Sequence, residues 1–275
     1  MKLSLGLSPR DYSVSGGAVA YDTNAQAYFT ANTTITSDAD KNAINTFYLG
    51  LKSDGVYTKI KAMYLPLWSS ASSNKWNLVN PVDSNAAYRL TFTTGWTHAS
   101  SGVTPNGTSA YADSFLAPST ALTLNSAHLS FYSRTNTTGT FADIGSGNNS
   151  TSIGYLQLTI KWTDNKYYAN INDNDFSDNT VANSLGFFLA SRTSSTNVKT
   201  FKSGTTVTTK TTATSTFRTS LTTYLGARNL QNGGASNYSN RQCSFASIGD
   251  GLTDAEATNF YSRVNTLMTY FGINV

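Results

Sequence analysis

Apolar and polar residues alternate with a period of two along most of the chain after residue 86. This alternation is typical of strands that bury one face, and turn-forming pairs such as Asp164-Asn165 and Ser203-Gly204 separate the runs. Because no helical pattern intervenes, we expect an antiparallel sandwich. The Thr-rich run 205–216 is interpreted as an edge or outer strand, and disorder is the alternative. The predicted strands are 88–92, 128–133, 153–162, 166–171, 184–191, 197–202, 205–210, 221–227 and 244–248.

The end of the chain has a helical pattern instead. Thr253 and Glu256 form the T-x-x-E capping box that begins a helix, and Gly272 is placed to end it in the left-handed conformation. One apolar stripe runs along the predicted helix 253–271; it comprises Phe260, Val264, Leu267 and Phe271, widened by Tyr261 and Met268. A single amphipathic helix at the end of a β-rich chain must dock on a sheet.

The first third of the chain is organised differently, and we divide the chain into three parts. Residues 1–30 are expected to form an attachment arm, in which Leu3, Leu5 and Leu7 alternate like a short strand. Residues 31–85 are expected to form a helical and extended segment packed on the sandwich, with a helix over 37–53 capped by Ser37. Residues 86–275 form the predicted sandwich and its C-terminal helix.

Composition excludes several partners. Charged residues make up 12% of the chain, about half of the usual share, and the net charge of +4 comes from scattered Lys and Arg. A nucleic-acid-binding surface needs clustered basic residues, so no nucleic acid partner is expected. No apolar run reaches the length of about 18 residues that a membrane span needs, so no membrane insertion is expected. The N-terminal apolar run is too short for a signal-peptide core, so we expect folding in a cytoplasm.

The residues needed for common hydrolytic mechanisms are missing. Glycosidases need a pair of carboxylates, yet 14 of the 15 acidic residues are Asp and the one Glu, Glu256, belongs to a helix cap. Neither His98 nor His128 is accompanied by a nucleophile motif, and Cys243 has no His beside it and is interpreted as a small buried residue. We therefore expect a protein that is not an enzyme and carries no obligatory cofactor.

Several segments together resemble a known family. These are FYLGLKSDGVYTKIKAMYLPL (47–67), KWNLVNPVDSNAAYRLTF (75–92), NGTSAYADSFLAPS (106–119), HLSFYSRTNTTGTFADIGS (128–146), YLGARN (224–229) and SIGDGLTDAEATNFYSRVNTL (247–267). In this order and spacing the chain resembles tailed-bacteriophage virion proteins that carry a concanavalin A-like, laminin-G-like jelly-roll domain. The resemblance implies a two-sheet jelly-roll sandwich with the C-terminal helix packed on it.

The resemblance also implies a role and a place. The chain is expected to be a non-catalytic structural component of a phage particle, as a head fibre, capsid decoration or tail fibre protein exposed on the virion surface. Its arm would contact other virion proteins of the capsid or tail, and a homo-oligomer, a trimer in particular, would suit the mounting sites. The alternative is a dedicated carbohydrate-binding module that recognises a host surface glycan. The sandwich fold alone is compatible with both.

Two loops offer candidate sites. In NGGASNYSNRQ, Tyr238 could stack on a sugar while Asn237, Asn240 and Arg241 donate hydrogen bonds. Trp96 and Trp162, near strand ends, are alternative stacking residues, although most aromatic residues of a sandwich are structural.

In INDNDFSDN, Asp173, Asp175 and Asp178 supply oxygen ligands at a density that would suit Ca²⁺. The competing interpretation is that Asp and Asn are simply good turn formers, since the Gly and Glu of an EF-hand loop are missing.

Overall fold

The computed structural model describes residues 20–275 with the exception of 149, 151, 176, 212 and 233. Its helices are α1 (Thr23–Ala31), α2 (Asp38–Ser53), α3 (Ala71–Asn74), α4 (Pro118–Ala121) and α5 (Asp254–Tyr270). Its strands are β1 (Ile60–Tyr64), β2 (Thr91–Phe92), β3 (Trp96–Ala99), β4 (Gly102–Pro105), β5 (Ala112–Asp113), β6 (Ala127–Ser133), β7 (Ile144–Gly147), β8 (Ile153–Thr159), β9 (Lys166–Asp173), β10 (Ser177–Thr180), β11 (Gly186–Ser194), β12 (Asn197–Lys202), β13 (Thr205–Thr211), β14 (Phe217–Arg218), β15 (Tyr224–Leu225), β16 (Arg228–Leu230), β17 (Gly234–Ser236) and β18 (Cys243–Gly249). No helix in these ranges is long and apolar enough to span a bilayer.

The strands form two sheets, as the sequence predicts. The inner sheet has the order β13-β12-β11-β6-β18-β4-β3, with β1 paired to β18. The outer sheet has the order β10-β9-β8-β7-β15-β5-β2, joined by β14, β16 and β17. Pairing along both orders is antiparallel, while β14 and β16 run parallel to β8 and β7. The molecule is therefore a mainly β, two-sheet sandwich, and the Thr-rich strand β13 lies at an edge of the inner sheet, as expected.

Two hydrophobic cores divide the sandwich into three layers. Between the sheets, residues such as Phe131 and Ala246 of the inner sheet pack with Leu156 and Ile171 of the outer sheet. On the other side of the inner sheet, helices α1, α2 and α5 cover Phe187 and its neighbours. Because the inner sheet is covered on both faces, every residue of its central strands β6 and β18 is buried, whereas the outer sheet has one polar face.

Helix α5 follows the sequence prediction closely. The Thr253 hydroxyl accepts from the Glu256 amide, and the Glu256 carboxylate accepts from the Thr253 amide at 2.8 Å, so both halves of the capping box are present. Phe260 is fully buried against the aromatic rings of Phe187 and Phe245 on the inner sheet. The apolar stripe is what holds the helix on the sheet.

The predicted arm requires a correction at its boundary. Helix α1 begins after Asp22, whose carboxylate caps it, and its Tyr28 and Phe29 are buried in the core beneath the helices. Residues 23–30 thus belong to the folded domain, and β1 of the segment 31–85 is a strand of the inner sheet. The arm residues Leu3, Leu5 and Leu7 lie outside the described residues.

Two predicted strands are much shorter than expected. The predicted strand 88–92 follows a short 3₁₀ turn over Asn85–Ala87. Tyr88 ends this turn in a left-handed conformation with φ 59°, and β2 begins only at Thr91. In 221–227 the strand is reduced to β15, because Gly226 turns the chain with φ 81° toward β16. Alternation alone does not reveal such turns, since the apolar residues remain buried on either side of them.

His128 is buried in β6 under helix α5 and is electrically neutral. Its Nδ1 donates to the Asp250 carbonyl oxygen at 2.6 Å, and its Nε2 accepts from the Ser247 hydroxyl at 3.0 Å. Burial lowers the pKa of His128 to about 4, from an ordinary value of 6.5. Phe260 covers the His128 imidazole ring, so protonation would place a charge inside the hydrophobic core.

We expect His128→Gln to flatten the dependence of stability on pH. As pH falls from 7 to 5, the unfolded chain protonates His128 while the folded chain, with a pKa of about 4, does not. This difference removes about 2 kcal/mol of stability from the wild type over that interval. Urea denaturation at both pH values should therefore show a drop in the free energy of unfolding that is smaller by about 2 kcal/mol in the variant.

Comparing the wild type with His128→Gln removes the contribution of other titrating groups to the change in stability. Burial raises the pKa of Asp173 to about 6, which acts in the opposite direction over the same interval and is equal in both proteins. The second histidine provides a matched control, and His98→Gln should keep most of the wild-type slope. Parallel curves for wild type and His128→Gln would contradict the buried neutral state.

Candidate functional site

A cleft of about 340 Å³ lies on the polar face of the outer sheet, on the side away from the helices. It is lined by Gln157, Thr159, Trp162, Tyr168, Arg228 and Asn237. Its size is at the small end of ordinary ligand sites, and it combines aromatic walls with a few polar groups, as such sites do.

Strand register brings the floor and one wall of the cleft together. Gln157 and Thr159 are alternate residues of β8, so they point to the same face, while Leu156 and Leu158 point into the core. Thr159 is paired with Tyr168 on β9, which places the Tyr168 ring beside the floor. The Gln157 amide donates to the Thr159 hydroxyl at 3.1 Å, so the floor is held by its own hydrogen bond.

The turn between β8 and β9 supplies the second aromatic wall. The Trp162 amide donates to the Lys166 carbonyl at 2.8 Å, and Asn165 completes the turn in a left-handed conformation with φ 66°. The Tyr168 hydroxyl donates to the Asp164 carboxylate in the same turn at 2.5 Å, and this carboxylate raises the pKa of Tyr168. Trp162 and Tyr168 are both partly exposed, so their rings are accessible to a ligand.

Arg228 on β16 forms the opposite wall together with Asn237. One of its terminal N–H groups donates to the Asn237 side-chain oxygen at 2.9 Å, and another reaches the Gln157 side-chain oxygen at 3.5 Å. The guanidinium lies over the Tyr155 ring at 5.6 Å from its centroid. Burial lowers the pKa of Arg228, and the Tyr155 hydroxyl partly offsets this effect.

Arg241 is not a ligand-binding residue, which corrects the sequence prediction. Its side chain is fully buried and donates to both carboxylate oxygens of Asp143 at 2.9 and 3.0 Å, as well as to the carbonyl oxygens of Thr137 and Lys161. Asp143 also accepts from the Ser239 hydroxyl. Arg241 therefore holds the loop 237–241 against the sheet, and its one unpaired donor, the Nε–H, is buried and out of reach of a sugar.

The other predicted residues of this group lie in different places. Asn237 lines the cleft, and its amide nitrogen also donates to the Thr140 carbonyl at 2.8 Å. Asn240 is exposed and does not line the cleft, and neither does Tyr238. Trp96 is half-buried, donates its indole N–H to the Tyr111 carbonyl at 3.1 Å and packs on the core between the sheets, so its role is structural.

The three carboxylates predicted to bind Ca²⁺ do not converge. Asp173 is buried in an ion pair with Arg192, while Asp175 pairs with Lys210 at 2.9 Å. Asp178 pairs with Lys166 at 2.6 Å. Across the described ranges, no group of three or more His, Cys, Asp or Glu side chains is arranged to hold a metal ion. Each Asp instead pairs with a Lys or Arg side chain, so the three carboxylates are not arranged as the predicted calcium site requires.

Four cleft residues escaped the sequence analysis, namely Gln157, Thr159, Tyr168 and Arg228. Gln157, Thr159 and Tyr168 lie in predicted strands, and Arg228 follows the end of one. Polar residues on one face of a strand usually face water, and the sequence does not show that this face forms a cleft. A signal was present in β7, whose residues Gly145 and Gly147 face this surface. A Cβ atom at Gly147 would lie 1.9 Å from the Tyr155 ring, and one at Gly145 would lie 3.0 Å from Gln157, so both glycines make room for site residues.

We expect Arg241→Met to destabilise the domain by about 3–5 kcal/mol, because it leaves the Asp143 charge buried without a partner. The matched control is Arg263→Met, which breaks a two-contact ion pair with Asp54 that is partly exposed and should cost about 1 kcal/mol or less. Urea denaturation of both variants measures the difference. Equal losses would show that the Arg241 contact is not an essential support.

No protein-family model matches the chain, and no curated protein matches it. Among solved structures, the Trypanosoma rangeli sialidase in complex with 2-keto-3-deoxy-D-glycero-D-galacto-2,3-difluoro-nononic acid aligns with 80% of this chain at a TM-score of 0.52 and 8% identity. The match spans 39% of that protein. Domain 4 of AbnA, a GH43 extracellular arabinanase from Geobacillus stearothermophilus solved with arabinotriose, aligns with 74% of this chain and 98% of that domain, at a TM-score of 0.43 and 15% identity. The likeness to the sialidase concerns the fold alone, and it agrees with the β-sandwich described above.

Proposed function

We propose that this protein is a non-catalytic carbohydrate-binding domain and that its ligand binds in the cleft on the outer sheet. The observation that carries the proposal is the pair of partly exposed aromatic side chains, Trp162 and Tyr168, that wall a cleft with a polar floor. A sugar ring has an apolar face and a polar edge, so it needs both kinds of surface at once. Aromatic rings provide rigid apolar contact at a small entropic cost, and neighbouring amides provide directed hydrogen bonds.

The polar groups of the cleft suit binding. The six lining residues offer two amides, the hydroxyls of Thr159 and Tyr168, a guanidinium and an indole, and none of them carries a carboxylate, imidazole or thiol. Gln157 and Asn237 are held by hydrogen bonds to Thr159 and Arg228, so their orientations are set before a ligand arrives. A preorganised, neutral floor suits recognition.

The direct test is a glycan array that includes fragments of bacterial surface polysaccharides, followed by calorimetric titration of the positive glycans. We expect binding, and we expect Trp162→Ala and Tyr168→Ala each to weaken it at least about tenfold, since each removes a stacking surface. The signal should be the same in calcium and in EDTA, because the Asp residues of the β9–β10 loop are paired with cations.

A matched control is Tyr270→Ala, which removes an exposed aromatic ring from α5 on the opposite side of the molecule. This variant should bind as the wild type does. An array that stays silent under both conditions, or binding that survives both cleft substitutions, would contradict the proposal.

We also propose a phage particle as the setting, on the strength of the sequence resemblance. The domain would project from the virion surface and be attached through residues that precede α1. Deleting residues 1–19 should leave a folded domain, because Asp22 and the helix that it caps remain, but should prevent incorporation into particles. Cryo-electron microscopy of particles with and without the deletion tests this. Normal incorporation of the shortened protein would refute the role of the arm.

A further inference from the structure

Arg228 carries a positive charge that forms no ion pair with a carboxylate of the described residues. Within the described ranges, its hydrogen-bonding partners are the neutral amide oxygens of Asn237 and Gln157, and its buried Nε–H has no acceptor. Of the residues that line the cleft, Arg228 is the charged one. A half-buried guanidinium without a counter-charge is unfavourable, because desolvation is not offset by an ion pair.

The carboxylates on the opposite side of the cleft are already occupied. Asp164 accepts a hydrogen bond from the Tyr168 hydroxyl, and Asp178 pairs with Lys166 at 2.6 Å. Elsewhere in the molecule the two most deeply buried arginines each have a carboxylate partner, Arg192 with Asp173 and Arg241 with Asp143. Arg228 is half-buried and has no carboxylate partner among the described residues. Arg134 and Arg218 are half-buried and also bond to neutral oxygens, but Arg228 is the one of the three that lines the cleft.

The surroundings fix the position of the Arg228 guanidinium. The Tyr155 ring lies beneath it, and that ring occupies space which exists only because residue 147 is Gly. Asn237 fixes one terminal nitrogen and is itself held by Thr140, in a loop that Arg241 anchors. A cation held in this way at the wall of a sugar-sized cleft is preorganised for an oxyanion.

We propose that the cleft selects an acidic saccharide, one whose monoanionic group, a carboxylate or a sulfate ester, pairs with the terminal N–H groups of Arg228. This proposal rests on the proposed function and names its substrate class. The aromatic walls would hold the sugar ring, and Arg228 would supply the charge-assisted hydrogen bonds that distinguish an acidic sugar from a neutral one. The net charge of +4 would favour the approach of such a ligand.

The test uses pairs of oligosaccharides that differ only in charge. Trisaccharides that contain glucuronate or galacturonate are compared with their carboxyl-reduced, neutral counterparts, and with sulfated derivatives of the neutral forms, by calorimetric titration of the wild-type protein. We expect at least one charged form to bind about tenfold or more tightly than its neutral counterpart, and this preference to shrink as salt is raised. The carboxylate and sulfate arms identify which group is recognised.

Variants assign the preference to Arg228. Arg228→Gln should remove the preference, so that the charged and neutral forms bind this variant with similar affinity, and Arg228→Lys should retain part of the preference. Arg218→Gln is the matched control, because Arg218 also bonds to neutral oxygens, those of Pro118 and Ser119, and does not line the cleft. Denaturation midpoints confirm that each variant is folded.

The possible failures are distinguishable. Equal affinity for charged and neutral forms, or a preference that persists in Arg228→Gln, overturns the charge selection while the carbohydrate-binding function stands. If neither form binds and the glycan array is silent, the proposed function itself fails, and the inference about acidic saccharides fails with it.

Discussion

The buried contact between Arg241 and Asp143 is the constraint on which the site depends. It joins the loop after β6, the start of β7, the end of β8 and the loop 237–241 through bonds to Thr137, Lys161 and Ser239. Because two charges taken out of water are stable only when every partner is in place, this contact tolerates few alternative loop positions. Asn237 belongs to that loop and is positioned by it, and its hydrogen bond to Arg228 helps to orient the guanidinium.

Layering determines which surface is free to bind. Helices α1, α2 and α5 cover one face of the inner sheet, and the outer sheet covers the other. The polar face of the outer sheet is thus the sheet face that neither hydrophobic core covers. The glycines of β7 leave room there for the side chains of Tyr155 and Gln157. The fold creates a shallow cleft there.

Much of the fold could be predicted from the sequence, because caps and alternation are local signals. The capping box of α5 and the Ser37 cap of α2 are encoded within four residues, and most strands of the inner sheet keep strict alternation or continuous apolar runs. Helix α1 was missed because it has neither charged residues nor a clear stripe. The strand breaks at Tyr88 and Gly226 were missed because they depend on tertiary packing.

The site was harder to predict, because it depends on contacts between distant residues. Arg241 was predicted to donate hydrogen bonds to a sugar from a loop. Its actual partner, Asp143, is 98 positions away in the sequence, so no local pattern reveals the contact. The sequence pointed to Trp162 as an alternative stacking residue. It did not point to Arg228, because the lack of a counter-charge becomes visible only in the folded structure.

The central claim is that ligands bind on the outer sheet. Nuclear magnetic resonance titration with an array-positive glycan tests it most directly: we expect the Trp162 indole and Arg228 side-chain resonances to shift, and shifts confined to the helices or to the inner sheet would contradict it.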